Sequence, residues 1–185
     1  MGYRIAAGWL ILSGVVCGQG VIVNDRLTVF DGTDFPGGPT SSDMIRIQTE
    51  SHKAAFFKKG ALIPPAGGKR EVRIVLKDHA VAPITNRTPY QNAFPRPGSK
   101  KLFENRRVII WEYTWKPGVA TPMHFHDKDV VVVYFENGTL RSTTPDGMVT
   151  DNPYTPSTVR FNLRERTHTE TLVTGKQHAI MTELK

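Results

Sequence analysis

Two histidines, His124 and His126, stand one residue apart in the stretch GVATPMHFHDKDVVVVYFENG, residues 118–138, just after a Gly/Pro-bearing loop and just before a β-branched run. On an extended chain, residues two apart point to the same face, so both imidazoles project together. Two imidazoles on one face can share a metal ion. A third histidine, His168 in RTHTETLV, falls in a later strand-like segment. Three neutral imidazoles suit iron, zinc, nickel, copper or manganese and leave coordination positions open for a substrate or dioxygen. His52, His79 and His178 lack paired spacing and sit near Lys or Asp, so they are read as ordinary surface or core histidines.

Charged residues near the pair extend this reading. Arg160, Asn162, Arg164, Arg166 and His168 occupy alternate positions, so a continuous strand would set a cationic rim beside the third histidine. Such a rim favours an anionic substrate, a carboxylate or a sulfur-containing acid, with Arg160 and Arg166 orienting its charge. A turn at residues 164–166 would break the parity and leave those charges solvated.

The elements that must position these side chains read as β structure throughout. From Val21 onward, short β-branched or aromatic runs alternate with Gly, Pro, Asn, Asp and Ser clusters, the pattern of a sandwich or small barrel. Residues 49–59, TESHKAAFFKK, are the one helix-friendly segment, and a short helix is predicted there. Trp111, Tyr113 and Trp115 form an aromatic stripe expected in a core or between sheets. VVVVYF at 130–135 has no alternation and is expected to be buried on both faces.

A weak internal echo relates residues 23–37 to 104–118 at an offset of 81, aligning Asn24 with Asn105 and Arg26 with Arg107. REVRIVLK at 70–77 echoes HAIMTELK at 178–185. At that offset His124 and His126 correspond to Asp43 and Ile45, so the first copy is expected to be structural. The expected organisation is a degenerate lobe at 19–81, a Pro-rich linker over the surface at 82–103, and a metal-binding domain at 104–185.

The leading segment is of another kind. Arg4 precedes an uncharged run of residues 5–17, too short to span a bilayer and followed by small residues, which reads as a signal peptide over residues 1–18. Export to the periplasm or medium follows from that reading. Cys17 is the single cysteine, so a disulfide framework is excluded. The chain carries a net charge of +7 with its cations dispersed and without interleaved aromatics, which argues against a nucleic-acid partner.

The sequence resembles the cupin superfamily. Gly118, five residues, then His124, Phe125 and His126, ending at Gly138, follow that family's first motif, and His168 is the candidate for its second. The resemblance implies an all-β jelly-roll barrel with inward-facing histidines, one divalent metal, iron foremost, frequent homodimerisation, and oxygenase-type chemistry on a small organic molecule. It leaves open a non-catalytic ligand-binding module and a structural envelope protein. Val130 and Val131 stand where the family has its glutamate, and Leu172 where it has an asparagine. Asp129 is the nearby acid that would replace the glutamate as fourth ligand; without it the site is three histidines and water.

Overall fold

A computed structural model describes residues 20–185, all of whose regular elements are strands. The leading segment read as a signal peptide lies outside the described residues. The first strands in chain order are β1 (Gly20–Val23), β2 (Leu27–Gly32), β3 (Gly38–Pro39), β4 (Met44–Gln48), β5 (Lys53–Phe57), β6 (Leu62–Ile63) and β7 (Glu71–Leu76). There follow β8 (Gln91–Asn92), β9 (Lys100–Glu104), β10 (Val108–Trp115), β11 (His124–Phe125) and β12 (Val130–Tyr134). The last are β13 (Gly138–Thr143), β14 (Val149–Tyr154), β15 (Val159–Asn162), β16 (Thr167–Gly175) and β17 (Gln177–Leu184).

Three five-stranded sheets result, in the orders β1-β2-β7-β4-β5, β15-β12-β17-β10-β9 and β14-β13-β16-β11-β8, with β3 and β6 as a two-stranded ribbon. The central strands of the middle sheet, β10, β12 and β17, are buried on both faces, and period-2 alternation divides their side chains between two cores. Val108, Ile110, Val131, Val133 and Ile180 pack against Leu27, Val29, Ile45 and Ile74 of the first sheet. Trp111, Tyr113, Trp115, Val130, Val132 and Met181 face the third sheet, with Leu140 and Leu172 opposite. The valine run and the aromatic stripe therefore lie where the sequence places them. Both motif glycines answer to the backbone. Gly118 has φ +70°, and a Cβ on Gly138 would collide with the Lys176 carbonyl oxygen.

Two expectations are corrected. Residues 49–59 form no helix: a turn leads into β5, which pairs with β4 and directs Ala54 and Phe56 onto the first core. Tertiary pairing outweighs the segment's helix-friendly composition, because a helix there would leave the β4 edge and this part of the core open. The stretch 82–103 is more than a surface linker. It supplies β8 and β9, and sends Ala93, Phe94 and Arg96 into the interior.

The segments aligned by the sequence echo make similar interactions. Asn24 Oδ1 accepts from the amides of Arg26 and Leu27 at 2.9 and 3.1 Å, and Asn105 Oδ1 from those of Arg107 and Val108 at 2.8 and 2.9 Å. Arg26 crosses to Asp129 at 2.5 Å, while Arg107 crosses back to Asp43 at 3.1 Å. The second oxygen of each acid accepts a backbone amide, Lys59 N on Asp43 and Arg164 N on Asp129. Asp43 thus corresponds to Asp129 rather than to His124, the second half having five more residues before this point. Pairing of β3 with β6 then matches that of β11 with β16, so Gly38, Thr40 and Ile63 occupy the places of His124, His126 and His168. None of the three carries a ligating nitrogen.

Candidate metal centre

The third sheet brings the histidines together. In the β11–β16 pair His124 lies opposite His168, and His126 follows at the end of β11, its amide donating to the Arg166 carbonyl at 2.9 Å. All three are buried, and one nitrogen from each lies within 4.8 Å of the others. His126 Nε2 and His168 Nε2 are 3.3 Å apart, close to the separation of about 3.3 Å that two nitrogens bonded to one tetrahedral metal at ~2.0–2.1 Å would have. His124 Nδ1 donates to the Pro122 carbonyl at 2.8 Å, a bond that directs the Nε2 lone pair inward.

Electrostatics keep the rings neutral. Burial brings His124 down to about 4, assisted by the Arg96 charge. Burial, with Arg166 and His168, holds His126 well below its ordinary value, and burial also lowers His168. Neutral imidazole is the protonation state a metal requires. Together with their buried, converging nitrogens, this makes the three histidines a set that could hold a metal ion.

Asp129 is not among them. Its carboxylate is held by Arg26 and the Arg164 amide, so it braces the first sheet against the second. The acid at the centre is Glu170, two residues beyond His168 on the same strand face. Its Oε1 lies 4.0 Å from His168 Nε2, and its Oε2 accepts from Trp115 Nε1 at 3.3 Å and Arg96 at 3.4 Å. Burial works to raise this carboxyl, but His168, Arg96, His124 and Arg166 together hold it below its usual range. Period-2 spacing after His168 is the sequence signal that marks Glu170.

Arg96 is the second unforeseen member. It sits between Ala93-Phe94 and the turn into β9, buried, with its guanidinium 4.1 Å from the Tyr113 ring centroid. It donates to His124 Nε2 at 3.1 Å. A metal held by the triad would compete with Arg96 for that lone pair.

From this centre a cavity of about 460 Å³ opens, lined by His126, His168, Glu170 and the arginines 96, 160 and 166. A turn at residues 163–166 does interrupt the strand, as the alternative reading of the rim requires. The rim forms even so, because β15 and β16 lie in different sheets that both border the cavity. Arg160 is exposed, its guanidinium 5.5 Å from the Tyr154 ring, and Arg166 is half-buried, its Nε donating to the Leu163 carbonyl.

No family model matches the chain. It is 43% identical over 44 residues to the β-alanine degradation protein BauB of Pseudomonas aeruginosa, a match of 24% of this chain that spans about half (46%) of that relative. Among solved structures, a cupin 2 conserved barrel domain protein from Leptotrichia buccalis superposes with TM-score 0.54 at 11% identity, over 91% of this chain and 88% of that one. An oxalate decarboxylase structure also gives TM-score 0.54 at 11% identity, over 87% of this chain and 69% of its own. Both matches extend across the first sheet as well as the histidine-bearing ones. The stacked β-sheets, superposing on these two structures over most of the chain, give it the fold of the cupin superfamily.

Proposed function

We propose that the chain is a metal-dependent cupin of oxygenase type, holding one divalent transition metal, iron in this reading, and acting on a small organic anion. The observation that carries the proposal is the buried histidine triad, two of whose members, His126 and His168, line a cavity that Arg96, Arg160 and Arg166 also line. His124, His126 and His168 would hold the metal, with Glu170 as the adjacent carboxylate. Such a metal supplies Lewis acidity and redox capacity at positions left open to small molecules. The chain's own residues do the rest. Arg160 and Arg166 draw an anion into the cavity and fix its charge, Glu170 and the Tyr113 ring hold the Arg96 guanidinium in place, and Tyr134 and Tyr154 supply aromatic lining.

The name of the matched relative makes β-alanine, a small carboxylate, a first compound to try, alongside other short acids and thiols. Metal analysis of the purified chain and of a His124→Ala variant tests the reading. Stoichiometric iron, lost in the variant together with dioxygen uptake on one of these compounds, supports it. An empty site with undiminished ligand binding would sink it. That outcome would favour a metal-free binding module, for which the Arg96 bond to His124 Nε2 speaks. Export through residues 1–18, a homodimer, and descent of the first sheet from a second, degenerate cupin lobe belong to the same proposal. Amino-terminal sequencing of the secreted form checks the first, and sedimentation the second.

A further inference from the structure

We propose that His52 and His178 form a second cation site, outside the triad, that takes a borderline divalent ion such as copper(II) or zinc(II). His52 lies in the turn between β4 and β5, and His178 is the second residue of β17, so the two rings come from different sheets. Their Nδ1 atoms are 3.2 Å apart. Two nitrogens bonded to one tetrahedral ion at ~2.0–2.1 Å stand about 3.3 Å apart, and the triad pair His126 and His168 shows 3.3 Å.

The tautomers point the same way. Glu112 Oε1 lies 3.1 Å from His178 Nε2, so that nitrogen carries the proton and the Nδ1 lone pair of His178 faces His52. A carboxylate behind a ligating imidazole is also what fixes ring orientation and raises basicity at metal sites. The His52 ring is fixed as well, stacked on Phe135 with centroids 4.2 Å apart and planes 14° from parallel. The His178 and Glu112 side chains remain 17% and 28% exposed, leaving water to complete the coordination. A bound ion would pin the β4–β5 turn of the first sheet to β17 of the second.

Copper(II) titrated into the full chain, with bound metal counted after gel filtration and nitrogen hyperfine structure read by electron paramagnetic resonance, tests this. Two equivalents are expected in the wild type and one after His52→Asn, since asparagine tolerates the φ of +53° at this position. A chain carrying His124→Ala and His126→Ala should keep one equivalent, which His52→Asn removes. If the triad holds no metal, the wild type binds one equivalent and loses it with His52→Asn, so the two proposals fail separately. Equal copper in wild type and His52→Asn overturns the second site, as does a triad-disabled chain that binds none.

Discussion

At the scale of single residues, the candidate centre depends on how each imidazole is held. His124 is fixed by the Pro122 carbonyl, while the charge near His168 is set by Glu170, which also restrains Arg96. Glu170→Gln keeps the shape and removes the charge. It should weaken metal affinity by roughly ten- to a hundredfold, the usual effect of losing a partner that orients ligands, as read by competition with a chelator. Unchanged affinity would mean that the carboxylate serves Arg96 and Trp115 alone. The triad was legible because H-x-H is a local pattern and a strand converts it directly into one face. Glu170 was equally legible by that rule, two residues past His168, but the familial pattern directs attention to positions 130 and 131. Arg96 gave no signal, since it reaches the centre through the parallel pairing of β8 with β11, which no local spacing encodes.

At the scale of elements, the first sheet docks on the middle one through apolar alternation and through the crossed pairs Arg26–Asp129 and Arg107–Asp43. The first pair is the more buried, with side chains 9% and 5% exposed. Asp129→Asn strands Arg26 as a buried cation. Breaking such a pair costs about 3–5 kcal/mol, which should appear in urea denaturation while metal affinity stays within about twofold of wild type. Replacing both partners, Arg26→Met with Asp129→Leu, should recover part of that loss, because the desolvation cost goes with the charges. A loss of metal affinity in Asp129→Asn would return this acid to the centre. Strand content was legible here, since runs such as RIVL and VVVV announce buried β structure. The match of Asp43 with Asp129 was hidden by the five extra residues ahead of Asp129, which no ungapped comparison detects. The β4–β5 hairpin was hidden because AAFF suits either helix or strand until a partner edge is present.

For the whole molecule, the depressed histidines link stability to pH with a definite sign. In the unfolded chain each imidazole takes a proton near 6.5, whereas in the folded chain His124 resists protonation until about 4. The unfolded state therefore binds more protons between these values. The folded state has its full advantage above 6.5 and loses it as pH falls toward 4, by about 3 kcal/mol from His124 alone. His126 and His168 shift in the same direction and add to the slope. Glu183, raised by burial, opposes it by at most one proton, and the lowered acids Glu170 and Asp43 begin to contribute only below their ordinary range. The metal-free chain should consequently show a clearly lower urea midpoint at pH 5 than at pH 7.5, and His124→Ala should reduce the difference by its own share. A metal that bound the folded state alone would, at about a hundred times its Kd, add about 2.7 kcal/mol, which chelation would remove. Equal midpoints at the two pH values in the metal-free chain would mean that the rings are protonated as easily folded as unfolded. The centre would then be wet and open rather than a buried set of neutral ligands.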